Sequence, residues 1–175
     1  KEAAPLANWG KEFQSMLRAD SKIELPVISY YPSSRLWITH KDVSRKAVIS
    51  SSRTMGYEDC LSSASNFRQM QNWLADATAS LHQQKEFKGY EQSNLKPRLE
   101  GIQHAVNQIM ADEGWGEFHY SFAHKELVMW HPDHGLLPVS LLSDGARAMI
   151  SLAADLAFRC ARLNGQLNDQ APQLT

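Results

Sequence analysis

The sequence predicts an α+β fold, mostly helical with a small sheet. Three observations carry that expectation. Apolar residues recur at helical spacing in four stretches, around 6–19, 57–83, 97–112 and 144–163. The stretch 126–139 reads as a strand, a tight turn at Pro132-Asp133-His134-Gly135 and a short returning strand. The β-branched and aromatic run Leu25 to Tyr31, stopped by Pro32 and two serines, reads as a buried strand and a turn. The composition agrees: 175 residues, 43% apolar and 21% charged, is ordinary for a globular chain of one domain or one and a part. Lys+Arg 18 against Asp+Glu 19 gives a net charge of -1, which argues against a strongly basic nucleic-acid module. No apolar run reaches the roughly 20 residues that span a bilayer, so no membrane partner is expected. Cys60 and Cys160 are far apart and form no Cys-x-x-Cys pair, so neither a zinc site nor a disulfide framework is expected, and a cytoplasmic setting is the default.

Each element has its own signal. In the first helix, Trp9, Phe13, Met16 and Leu17 share a face. Residues 40–56 are polar and basic, with His40, Lys41, Arg45, Lys46 and Arg53, and read as a solvated loop. From Tyr57 the period becomes helical: Leu61, Phe67, Met70, Trp73, Leu74, Ala77 and Leu81 form one stripe, expected to be core. A polar loop at 83–96 leads to a second helix in this region, with Pro97 in its first turn and Leu99, Ile102, Val106, Ile109 and Met110 on its apolar face. The last helix runs from about Asp144 to Leu163, with Ala146, Met149, Ile150, Ala153, Ala157 and Cys160 on one face and Gly165 as its stop. The organisation is then a strand-containing N-terminal part with its basic loop (1–56), a helical unit (57–113), a hairpin with the final helix (114–165) and a polar tail (166–175).

The most informative segment is Val139-Ser140-Leu141-Leu142-Ser143-Asp144-Gly145-Ala146-Arg147, a short strand running into Leu-Ser-x-Gly where a long helix starts. A serine hydroxyl caps a helix by accepting a bond from a first-turn N–H. A glycine lets another molecule approach the backbone. The first-turn N–H groups and the helix dipole favour an anion. Together these groups suit a phosphate. Ser143-Asp144 is equally the composition of an everyday cap.

This segment, with Asp155, Arg159 and Leu163-Asn164 downstream, resembles the signature region of ABC-class ATPases. It is most similar to the AAA-family ATP-binding proteins related to RecF and to structural-maintenance-of-chromosomes ATPases. Pro26 to Tyr31 with Arg35-Leu36-Trp37 resembles that group's strand and arginine-containing turn, and Gly56 to Leu61 with Phe67 and Trp73 resembles its helical insertion. The chain departs from the pattern at Pro32, Ser33 and Ser34, where small Gly-rich residues are usual, and at Ala146, where an aromatic is common. It contains no Gly-x-x-x-x-Gly-Lys-Ser/Thr and no apolar strand ending in Asp-Glu after the signature helix. The resemblance therefore implies the central segment of a longer ATP-binding protein. Ser143, Asp144, Gly145 and Arg147, with Arg35, would be its nucleotide-contacting residues. The cofactor would be ATP, with Mg²⁺ in the whole protein. The partner would be a second ATPase head of a homodimer, with DNA or a nuclease as a further partner. The chain on its own is expected neither to bind ATP tightly nor to hydrolyse it, so no catalytic residue is assigned.

Other clusters read more plainly. His119, His124, His131 and His134 lie close in sequence but without the spacing of a known metal site, and read as turn histidines. Glu58-Asp59 and Asp112-Glu113 are adjacent pairs, which do not face one site on a helix. Cys160 sits on an apolar face and reads as inert. The alternative function is a non-catalytic helical interaction module, or a DNA contact through the basic residues 41–53.

Overall fold

The computed structural model describes residues 4–20, 22–31, 53–62, 67–86 and 95–165. It is an α+β structure, with four α-helices and one three-stranded antiparallel sheet among the described residues. Helix α1 spans Ala4–Ala19, α2 Phe67–Glu86, α3 Leu95–Met110 and α4 Asp144–Leu163. Strands β1 (Gly116–Ser121), β2 (Glu126–His131) and β3 (Gly135–Pro138) follow one another across the sheet in chain order.

The core forms where α3 packs against both α4 and β1. Ile102, Val106 and Met110 from α3, Phe118 and Met129 from the sheet, and Ile150 from α4 are fully enclosed. Met70 and Leu74 of α2 join them, with Phe67 and Trp73 packed at the margin and the Trp73 ring edge-on to Phe158 at 5.4 Å. The aromatic stripe is core, as its period predicts.

Two backbone devices fix the passage from α3 into the sheet. A 3-10 turn over Ala111–Glu113 ends at Gly114, which lies in the left-handed region at φ +80°. The Gly114 N–H donates to Ala111 O and the Trp115 N–H to Met110 O, the paired bonds that close a helix C-terminus. In β1 the register then shifts between Gly116 and His119, with Glu117 at φ +53°. The Phe118 N–H donates instead to Oδ1 of Asn107 on α3, at 2.9 Å, so a side chain meets a demand that the bulge leaves open. At the β2–β3 turn, His131 pairs with Gly135 and the glycine adopts φ +70°, as a three-residue hairpin loop requires.

Several expectations are corrected. Residues 23–31 run extended but join no strand of the sheet among the described residues; their backbone is held at separate points, the Leu25 N–H by Asn164 and the Tyr30 N–H by Cys60 O at 2.7 Å. The helix expected from Tyr57 begins at Phe67; Arg53–Tyr57 is a 3-10 turn, and Leu61 is 65% exposed rather than part of the stripe. Ile109 and Met149, expected on buried faces, are exposed. Helix α4 ends at Asn164, and Gly165 supplies room rather than a left-handed stop, because the guanidinium of Arg98 fills the space where a Cβ would sit. Residues 32–52, including Arg35 and the basic positions 41–52, and the tail 166–175 lie outside the described residues.

Candidate functional site at the start of the last helix

A 3-10 turn over Val139–Leu141 carries the chain from β3 to the N-terminus of α4. Val139 and Leu142 are buried and anchor it, while Leu141 between them is 71% exposed. Ser143 takes the capping position: its Oγ accepts from the Ala146 N–H at 3.2 Å, and its carbonyl accepts from the Arg147 N–H at 2.9 Å. A hydroxyl that accepts from the helix keeps its own proton to donate outward.

Ser143, Asp144 and Gly145 are all exposed. A Cβ built at Gly145 meets nothing within 4 Å, so the surface above this glycine is open to another molecule. Asp144 forms an ion pair with Arg147 one turn later, which offsets a negative charge that would otherwise repel an anion at the helix N-terminus. Four of the five residues expected to contact nucleotide are thus gathered in one capped turn; the fifth, Arg35, is among the residues not described.

The far end of α4 carries a network that sequence reasoning did not assign. Asp155 and Arg159 are both buried and paired, Nε to Oδ2 at 3.0 Å. Tyr31 donates its hydroxyl proton to the same Oδ2 at 2.5 Å, and burial, then the Asp155 charge, pushes the phenol well above its usual range. Arg159 Nη1 donates to the carbonyls of Gly56 and Glu58, at 2.9 and 3.0 Å. Gly56 is needed there because a Cβ would lie 2.5 Å from Cγ of Leu163. Arg53, expected in a solvated loop, instead donates to Leu163 O and Ile23 O and to Oδ1 of Asn164. The available signal was the i,i+4 spacing of Asp155 and Arg159 on an otherwise apolar face.

The histidines serve local structure. His131 and His134 stack with ring centres 4.7 Å apart, and His131 lies 4.8 Å from the Trp115 ring. His131 Nδ1 accepts from the Asp133 N–H, and His119 and His124 bond within their own turns. Among the described residues no group of three or more potential metal ligands converges, and no helix is long and apolar enough to cross a membrane. No protein-family model and no curated protein matches the chain.

Proposed function

We propose that the Ser143-Asp144-Gly145 turn is a trans-acting phosphate contact of an ABC-type ATP-binding protein, closing over ATP held by the P-loop of a second head. In this reading the Ser143 hydroxyl and the N–H groups of the first turn bond the γ-phosphate, and the dipole of a 20-residue helix assists them. Arg147 offsets the charge of Asp144 by pairing with it. ATP, with Mg²⁺ bound elsewhere in the whole protein, then joins two copies, and hydrolysis releases them. Such a protein works in the cytoplasm, with DNA or a nuclease as a downstream partner. The residues fit the terminal phosphate but not the rest of the nucleotide, since the sequence has no P-loop and no acidic strand after α4. The chain alone therefore does not turn ATP over.

The observation that carries this reading is the open surface above Gly145, on an exposed and capped helix N-terminus. Gly145→Ala is the decisive variant. Its methyl group meets no protein atom, so the fold is unchanged or slightly more stable, but it stands in the path of the incoming phosphate. In the full coding sequence a P-loop is expected upstream and an Asp-Glu strand downstream. In that protein, G145A abolishes ATP-dependent dimerisation measured by analytical ultracentrifugation. Absence of both flanking motifs, or undiminished dimerisation of G145A, overturns the reading.

A second reading rests on Met149 and Leu152, apolar neighbours on α4 that are 39% and 40% exposed. Here the chain is a helical docking module, Ser143 is a plain cap and G145A changes nothing. A DNA contact through 41–53 would have to use residues other than Arg53, whose donors are taken by backbone carbonyls and Asn164.

A further inference from the structure

Three arginines meet where α4 ends. Arg53 reaches Leu163 O and Oδ1 of Asn164. The Arg98 guanidinium fills the space beside Gly165. Arg162 stands on the last turn of α4, its guanidinium carbon 5.4 Å above the Phe158 ring. All three are half-buried.

Their surroundings differ. Arg53 is attracted by Asp20 and Arg162 by Glu58. Arg98 has no such counterpart among the described residues. Its Nε is buried without a hydrogen-bond partner, and no ion pair with a carboxylate forms among the described residues. Glu100, two residues away, pairs with Lys96 and does not share Arg98's face of the helix. Burial, and then the charge of Arg53, pulls the Arg98 guanidinium below its usual range, and Arg98 in turn lowers that of Arg162. A desolvated cation among like charges is unfavourable unless an anion answers it.

The backbone adds to the demand. Arg98 belongs to the first turn of α3, which holds Lys96 but no acidic residue. The N-terminal end of a helix carries partial positive charge and free N–H groups, so two cations there raise the local potential rather than offset it. Guanidinium groups present paired donors in a plane that matches the oxygens of a phosphate.

We propose that Arg98, with Arg162 beside it at the junction of α3 and the end of α4, forms a binding site for a phosphate-type oxyanion, on a floor that Arg53 holds in place. This site is separate from the Ser143 turn at the opposite end of α4 and does not depend on the ATP reading. Arg98 is its central donor because, among the described residues, it has no anionic neighbour. Arg162 supplies a second, more adaptable charge, and Arg53 fixes the floor by holding the end of α4.

The test is thermal unfolding of the purified chain in pyrophosphate against chloride at equal ionic strength. At about 100 times its Kd, pyrophosphate is expected to raise Tm by about 5–10 °C. R98M should lose that shift, and without ligand it should melt at or above the temperature of the unmodified chain, because an unanswered charge has been removed. R98K should keep only part of the shift, having charge without the planar fork, and R162Q should weaken binding. No pyrophosphate-specific shift, an undiminished shift in R98M, or an R98M chain that melts lower or fails to fold overturns the proposal. A duplex oligonucleotide that displaces pyrophosphate identifies the phosphates as those of a nucleic-acid backbone; failure to displace it identifies a free oxyanion.

Discussion

Asn164 pairs with the backbone of Leu25 from both sides: the Leu25 N–H donates to Oδ1 and Nδ2 donates to Leu25 O, each at 2.8 Å. The side chain presents a donor and an acceptor as a neighbouring strand would. It thereby satisfies the backbone of Leu25, the buried residue of an extended stretch that joins no sheet among the described residues. Asn164→Leu removes both bonds and strands two buried backbone groups. It should destabilise the chain by about 2–4 kcal/mol, read as a lower midpoint in urea. Asn164→Asp keeps the acceptor but loses the donor to Leu25 O and should fall between the two.

Arg159 closes a second link, from α4 to the Gly56–Glu58 backbone, with Asp155 as its buried partner. Replacing Arg159 by Met leaves a buried carboxylate without its cation and should cost about 3–5 kcal/mol. The double variant Asp155→Asn, Arg159→Met should lose less than the sum of the single changes, since it leaves no lone charge.

Tyr31 makes that network sensitive to alkali. Its phenol is held above the ordinary value of 10.0 by burial and by Asp155. The unfolded chain gives up this proton first, so the contribution is complete below pH 10 and declines as pH rises further. Stability measured in urea from neutral pH upward should fall in that window, and Tyr31→Phe should flatten the fall.

Cys160 behaves similarly at lower pH. Burial raises its thiol from 9.0 to about 11. Its contribution to stability is complete below pH 9 and declines towards about 11. Under native conditions at mild alkaline pH, iodoacetamide should label the half-buried Cys60 well before Cys160, which reacts only through opening of the fold. Equal labelling rates would contradict this.

Gly56 and Gly145 should respond oppositely to alanine. At Gly56 a Cβ would lie 2.5 and 2.8 Å from Leu163 Cγ and Cδ2, so Gly56→Ala should destabilise by about 1–3 kcal/mol. At Gly145 the space is open, and Gly145→Ala should be neutral or stabilising by up to about 1 kcal/mol. Ser143→Ala, which removes the cap of α4, should cost about 0.5–2 kcal/mol. Thermal melts of the three variants check the set.

Periodicity was enough for the elements that bury one continuous face. Helix α4 begins where its apolar stripe and Ser143 place it and runs to Leu163, and the β2–β3 hairpin follows from Pro132-Asp133-His134-Gly135. The capped turn at Ser143-Asp144-Gly145 was legible for the same reason: capping is a local matter of four or five residues. Only the tertiary structure decided what the remaining polar groups do. Leu25–Tyr31 has strand chemistry, yet its backbone partners include a side chain at the end of α4, the Tyr57 hydroxyl and the Cys60 carbonyl, and no local pattern specifies partners so distant. Arg53 looks like solvated loop charge until the end of α4 arrives with carbonyls to bind. Gly165 looks like a helix stop until Arg98 of another helix occupies its missing side chain. Period and caps are fixed by neighbours in sequence, whereas the burial of an individual charge and the room beside an individual glycine are fixed by which elements pack together.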